Sequence, residues 1–127
     1  MRNLVMALSA ISFLAACGGS SGGGGSAVTL HCTFGDSCDA ITGSMSSDQR
    51  TAIEAACTRG SGVVGNGACS TAGMVAGHCT YGAAAMASFT GVSVDGATMV
   101  EYYLAASWTA AEAQSFCVSP PGGTWTP

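Results

Sequence analysis

The apolar and polar positions of the chain divide it into three segments. An apolar run from Leu4 to Ala16, interrupted only by two serines, is followed by glycine and serine alone at residues 18–26. From Val28 onward, apolar and polar residues alternate or recur at helical spacing. The pattern predicts an N-terminal targeting segment at residues 1–16, a linker at 17–27 and one folded domain at 28–127.

Alternation predicts strands in the folded domain. In Val28 to Phe34 every second residue is apolar, which is the period of a half-buried strand. Further strands are predicted at Ala76 to Tyr81, Ala85 to Val94 and Ala97 to Leu104. Asp95-Gly96 is a two-residue turn signal, and it predicts a hairpin between the last two strands.

The same alternation assigns side chains to the two faces of the sheet. Cys32 and Phe34 should point inward and His31 outward. By the same parity, Cys79 and Tyr81 should point inward and His78 outward.

Two capping boxes predict helices. Ser46 with Gln49 should start a helix over Ser47 to Cys57, and Thr109 with Glu112 should start one that ends at Cys117. Gly60 should end the first helix, and Pro120-Pro121 the second. The residues predicted to face the sheet are Ala52, Ile53, Ala56 and Cys57 in the first helix, and Ala113, Phe116 and Cys117 in the second.

An internal repeat organises the domain. His31-Cys32-Thr33-Phe34-Gly35 returns as His78-Cys79-Thr80-Tyr81-Gly82, and each copy precedes a helix that ends in cysteine. The repeat predicts two related halves, each made of strand, strand, helix and short strand. The expected fold is therefore a small disulfide-rich α+β domain of antiparallel strands with two short helices and an internal duplication.

The domain has an even number of cysteines, which predicts disulfides formed in an oxidising compartment. They are Cys32, Cys38, Cys57, Cys69, Cys79 and Cys117. If the halves are related, Cys32 pairs with Cys57 and Cys79 with Cys117, which leaves Cys38 for Cys69. The alternative joins Cys57 to Cys69 across a glycine-rich loop.

The charge of the domain excludes two classes of partner. It has no lysine, only Arg50 and Arg59 as cations, and seven acidic residues. Binding to nucleic acid depends on neutralising phosphates, so we expect no nucleic-acid partner. A polybasic contact with anionic lipid is excluded for the same reason.

Motifs for catalysis or metal binding are missing from the sequence. His31 and His78 each adjoin a cysteine, but neighbouring strand residues face opposite ways and the cysteines are expected to be oxidised. A surface metal site made by the two histidines alone needs neighbouring strands. Asp36 and Asp39, which flank Cys38, predict a solvated turn. We therefore expect no metal, no cofactor and no catalytic residue.

Tyr102 and Tyr103 are consecutive in a predicted strand, so one of them must face outward. Together with Trp108, that tyrosine is a candidate recognition patch for a protein or a glycan. An ordinary half-exposed tyrosine is the simpler interpretation.

Leu14-Ala15-Ala16-Cys17, at the end of the apolar run, resembles the lipobox of bacterial lipoproteins. The resemblance implies that Cys17 receives a diacylglycerol, that cleavage precedes Cys17, and that the new amine is acylated. Two or more acyl chains attach a protein durably to a bilayer. The family's retention signal has Asp after this cysteine, whereas this chain has Gly18, so the resemblance implies the outer membrane.

The cysteine pattern of the domain, with Gly-Gly-Thr-Trp after the last cysteine, also resembles small six-cysteine lipoproteins of Gram-negative bacteria that have no assigned activity. Taken together, the sequence predicts a lipid-anchored envelope protein with a structural or surface-interaction role, on the periplasmic or the outer face of the membrane. A binding or inhibitor-like module for an envelope protein or polysaccharide is the first alternative, and a small hydrolase is the second.

Overall fold

The computed structural model describes residues 27–127, which form six strands and three helices. The strands are β1 (Ala27–Thr33), β2 (Ser37–Ser44), β3 (Val63–Asn66), β4 (His78–Gly82), β5 (Thr98–Tyr103) and β6 (Thr124–Thr126). The helices are α1 (Ser47–Arg59), α2 (Ala83–Thr90) and α3 (Ala110–Cys117). The predicted small disulfide-rich α+β fold is confirmed.

The six strands form one antiparallel sheet in the order β3-β1-β2-β5-β4-β6. The first half of the domain runs β1, β2, α1, β3, and the second runs β4, α2, β5, α3, β6. Apart from the inserted α2, both halves have the predicted order of strand, strand, helix and short strand. The halves meet where β2 pairs with β5, and we call this strand pair the central seam. From either edge inward, the sheet contains the third, the first and the second strand of one half.

Three disulfides link the described residues in the pattern that the duplication predicts. Cys32–Cys57 joins β1 to α1, and Cys79–Cys117 joins β4 to α3. Cys38–Cys69 joins β2 to the segment after β3. The alternative bond between Cys57 and Cys69 is therefore wrong.

The sheet has two unequal faces. Cys32 and Cys79, whose partners lie in α1 and α3, project from the side that we call the helix face. The main core lies on this face; its largest fully buried side chains, by volume, include Tyr81, Tyr103, Leu30, Ile53, Met86 and Val94. The opposite side, the open face, has only a small cluster around Cys38, Ala40 and Cys69. Cys32 and Cys79 are buried and both histidines are half-buried, as the alternation predicts.

A strand predicted at Ala85 to Val94 is wrong, because most of that range lies in α2. Residues 83–85 and 87 are alanines, and alanine is the best helix-forming residue. Gly91 ends the helix with φ 74°, a left-handed conformation that favours glycine. Asp95 and Gly96 do form a turn before β5, but no hairpin exists there, because the element before the turn is a helix.

Both predicted capping boxes are present, at Ser46 with Gln49 and at Thr109 with Glu112. In α1 Ile53 and Cys57 are buried and Ala56 is half-buried, but Ala52 is exposed, so its predicted inward position is wrong. In α3 the buried residues are Ala113 and Cys117. Phe116, also predicted to be inward, is 48% exposed and packs at the rim against Trp108, with ring centroids 5.5 Å apart.

Candidate functional site

The predicted patch of Tyr102 or Tyr103 with Trp108 does not form. Tyr103 is fully buried on the helix face, where its ring centroid lies 5.2 Å from that of Trp108. Tyr102 projects from the open face instead, and its ring centroid is 5.5 Å from that of His78. Because alternation puts the two tyrosines on opposite faces, the outward tyrosine and Trp108 lie on different sides of the sheet.

His31 and His78 do not come together either. They lie in β1 and β4, and both β2 and β5 run between those strands. The Nδ1 atom of His31 donates to the carbonyl oxygen of Gly67 at 3.1 Å. A surface metal site shared by the two histidines is therefore excluded by the strand order. Within residues 27–127, no group of three or more histidine, cysteine or acidic side chains is placed to hold a metal ion.

Asp39 does not lie in a solvated turn. Asp36 is exposed between β1 and β2, as predicted, but Asp39 is part of β2 and points to the helix face together with Ile41. In the register of the central seam, Asp39 lies directly opposite Glu101. We call these two residues the carboxyl pair. Nothing in the local sequence pattern marks Glu101 as a site residue.

The carboxyl pair occupies the middle of one cross-strand row on the helix face. Cys32 pairs with Asp39, and Cys79 pairs with Glu101. From edge to edge the row reads Val64, Cys32, Asp39, Glu101, Cys79 and Trp125. The two carboxyls thus lie where the halves meet, flanked by the disulfides that attach α1 and α3.

Two tyrosines bind one member of the pair. The hydroxyls of Tyr81 and Tyr103 donate to the same oxygen of Glu101, Oε2, at 3.1 and 2.7 Å. Asp39 has no such support: its Oδ1 atom is shielded from solvent and has no hydrogen-bond partner among residues 27–127. A buried polar atom without a partner is costly, and the cost is greatest when the group is charged.

Burial and like charge favour protonation of the pair. Burial, the charge of Glu101 and the charge of Asp36 raise the pKa of Asp39 to about 8 from an ordinary 3.8. Burial also raises the pKa of Glu101, although the two tyrosine hydroxyls act in the opposite direction. Burial, the largest cause, raises the pKa of Tyr81 to about 12, and burial with the bond to Glu101 raises that of Tyr103 as well.

Within residues 27–127, no cation is placed beside the pair to offset its charge. The chain has no lysine, and the Nε atom of Arg50 bonds Glu54 at 2.7 Å on α1. A small cavity of about 70 Å³ lies beside Asp39, between the sheet and helices α1 and α2. Its other lining residues are apolar or weakly polar: Cys32, Phe34, Ile41, Ile53, Ala56, Cys57, Phe89, Thr90 and Met99. The space suits a few water molecules or one small chemical group.

The arrangement therefore favours proton binding. Two facing carboxyls in a poorly solvated position favour a state in which one of them is protonated, since both cannot ionise cheaply. The cavity admits small groups to Asp39, whereas Glu101 is covered by its tyrosine donors.

Comparison of the chain with protein-family models, with curated proteins and with solved structures finds no match in any of the three. None of the helices within residues 27–127 is both long enough and apolar enough to cross a membrane. The predicted lipobox and residues 17–26 of the predicted linker lie outside the described residues, whereas Ala27, assigned to the linker, is the first residue of β1.

Proposed function

We propose that this protein is an outer-membrane lipoprotein whose folded domain is attached to the bilayer through acylated Cys17. The observation that carries the proposal is Leu14-Ala15-Ala16-Cys17 at the end of a short apolar run. The run of glycine and serine that follows has a composition typical of a linker between an anchor and a folded domain. The three disulfides support it, because such bonds persist outside the cytosol.

The role that we propose for the domain is structural or surface-interacting, without catalysis. All six domain cysteines are in disulfides, so none provides a thiolate nucleophile. The two histidines lie on separate strands of the open face, and the cavity beside Asp39 is small. A broad hydrolase screen tests this statement. Activity that Asp39→Asn abolishes would favour the hydrolase alternative.

One observation favours the alternative of a binding module for an envelope protein or polysaccharide. The helices cover one face of the sheet, while the open face presents the neighbouring rings of His78 and Tyr102, whose planes are tilted by 36°. A threonine row, Thr29, Thr42 and Thr98, crosses three strands on the same side. Aromatic rings and hydroxyls together suit contacts with sugars or with polar protein surfaces.

A pull-down from solubilised envelope separates the two roles. A binding module should retain a stoichiometric partner, and Tyr102→Ala should weaken that retention. Thr126→Ala on edge strand β6 is a control for general changes to the open face. A purely structural protein should retain no stoichiometric partner with any of these variants.

Fractionation in a Gram-negative host tests the anchor. The wild-type chain should collect in the outer membrane, and Cys17→Ser should release it from membranes. Gly18→Asp should shift it to the inner membrane, because the family's retention signal has Asp at that position. Ser20→Ala in the linker is the matched control and should fractionate as the wild type. Membrane-bound Cys17→Ser would contradict the proposal.

A further inference from the structure

We propose that the carboxyl pair makes the central seam pH-dependent: the two halves of the domain stay firmly joined while Asp39 and Glu101 retain a proton, and the seam loosens when both are ionised. This inference concerns the folded domain and does not depend on the lipid anchor.

The position of the pair gives it influence over the joint between the halves. The central seam comprises six residue pairs, from Ser37 opposite Tyr103 to Thr42 opposite Thr98. Asp39 and Glu101 are the third pair from the Ser37 end, so the seam continues on both sides of them. Directly opposite side chains in an antiparallel pair are close neighbours, and like charges there are destabilising.

In the described part of the chain, no disulfide crosses this joint from one half to the other. Cys32–Cys57 lies within the first half, Cys79–Cys117 lies within the second, and Cys38–Cys69 joins β2 to the segment that follows β3. Among the described residues the halves are therefore held together by backbone hydrogen bonds, by packing in a shared core, and by side-chain contacts such as the bond from Gln49 Nε2 to the carbonyl oxygen of Ser93 at 2.8 Å. When the seam loosens, the disulfides keep β1 attached to α1 and β4 attached to α3.

None of the described groups that face the pair carries a positive charge. Glu101 and Tyr103 come from β5, Tyr81 comes from β4, and Asp36 lies in the turn before β2. The neighbouring residues of α1 and α2 do not titrate; they are Ile53, Ala56, Phe89 and Thr90. Cys32 and Cys79, on either side, are oxidised.

The unequal support of the two carboxyls determines which one retains the proton. Glu101 accepts two tyrosine hydroxyls, which favour its charged form, whereas Oδ1 of Asp39 has no partner among the described residues. Asp39 is thus the member that holds the proton. The pKa of Asp39 is raised to about 8, so ionisation of the pair is completed under mildly alkaline conditions.

Amide hydrogen exchange on the full chain, purified in detergent, tests the proposal. Protection factors, corrected for the intrinsic effect of pH, are compared at pH 6 and pH 9 for the amides of β2 and β5 and for those of β1 and β4. Wild-type protein should lose tenfold or more protection in the seam relative to its own pH 6 value. Protection of the amides in the β1–β3 and β4–β6 pairings should change much less between the two pH values.

Two nearly isosteric variants and one control decide the outcome. Asp39→Asn and Glu101→Gln each remove the possibility of two facing charges, so seam protection should differ by less than twofold between pH 6 and pH 9. Asp95→Asn, in an exposed turn, should behave as the wild type. The proposal is overturned if wild-type protection is unchanged at pH 9, or if Asp39→Asn and Glu101→Gln lose it as fully as the wild type does.

Discussion

Asp39 and Ile41 are two residues apart in β2, so both project from the helix face. Met99 and Glu101 are related in the same way in β5. Parity alone therefore indicates that both acids share a face with core residues once the two strands are known. Local pattern predicts that Asp39 is a turn residue, because a charge beside Cys38 usually marks solvent exposure. The pairing of β2 with β5 joins segments far apart in the chain, and local pattern does not show it.

The raised pKa of Asp39 predicts that this residue favours the folded state more in acid than in mildly alkaline solution. Its folded-state value of about 8 exceeds the ordinary 3.8, so the folded state binds the proton more tightly. The stabilisation that proton binding to Asp39 gives the folded state is therefore complete below pH 4, and it is lost as the pH rises towards 8. Urea unfolding of the wild type should therefore give a lower free energy at pH 8 than at pH 5.

Asp39→Asn should remove most of that pH dependence, because the amide has no charge to bury. At pH 8 the free energy of unfolding of Asp39→Asn should exceed that of the wild type by about 2 kcal/mol or more. Asp95→Asn, on an exposed turn, should follow the wild-type curve. If the free energy of unfolding depended on pH equally in Asp39→Asn and in the wild type, Asp39 would not be the titrating group.

Gly62 and Gly123 occupy equivalent positions in the two halves. A Cβ at Gly62 would collide with the sulfurs of Cys32 and Cys57, and one at Gly123 would collide with Cys79 Sγ and the ring of Tyr81. Neither glycine has a positive φ, so the restriction is space and not backbone conformation. Replacing either glycine by alanine therefore tests how tightly the chain packs against a disulfide.

Gly62→Ala and Gly123→Ala should each cost about 1–3 kcal/mol of stability, the usual range for overpacking a core. Gly35→Ala is the matched control, because nothing lies within 4 Å of its Cβ position. Thermal or urea unfolding under oxidising conditions measures the difference. A cost at Gly35 as large as that at Gly123 would contradict the packing argument.

At the scale of elements, the sequence predicted best where side chains form local, specific contacts. The capping boxes of α1 and α3 need only residues three apart, and both are present. The α2 segment has no capping side chain at Gly82 and no charged residue in its first or last turn. A run of alanines before Gly91 is the signal that could have identified it. Two-residue alternation through small side chains is weak evidence for a strand, because alanine, serine and threonine fit either face.

Ser46→Ala and Thr109→Ala should each reduce stability by about 1 kcal/mol, since each removes an acceptor for an otherwise unpaired helix amide. Ser47→Ala, one residue into α1, is the control and should change stability by less than half of that. Urea unfolding at one pH compares the three. If Ser47→Ala lost stability and Ser46→Ala did not, Ser46 would not be the capping residue of α1.

At the scale of the molecule, the two halves explain why the disulfide pairing was predictable. A repeated motif makes Cys32 equivalent to Cys79 and Cys57 to Cys117, and the first two bonds follow that equivalence. Cys38–Cys69 has no counterpart in the second half. It attaches the segment after β3 to the open face, where Met74 and Tyr102 pack against the cluster of Cys38, Ala40 and Cys69.

Removing the Cys38–Cys69 bond should loosen the open face around Tyr102 more than it loosens the rest of the domain. The double variant Cys38→Ser, Cys69→Ser should cost about 2–4 kcal/mol, since the bond closes a loop of 31 residues in sequence separation. Near-ultraviolet circular dichroism should report loosening around Tyr102, while far-ultraviolet spectra keep the signal of the sheet and helices. Complete unfolding would show that Cys38–Cys69 holds the core as well.

The intact mass of the protein purified from membranes without reduction tests the central proposal most directly, because it reports cleavage, acylation and thiol oxidation in one value. We expect a chain that begins at Cys17, carries a diacylglycerol and an amide-linked acyl group, and lacks six hydrogens relative to the reduced form, two for each disulfide. An uncleaved chain without added lipid, or one with six free thiols, would contradict the account.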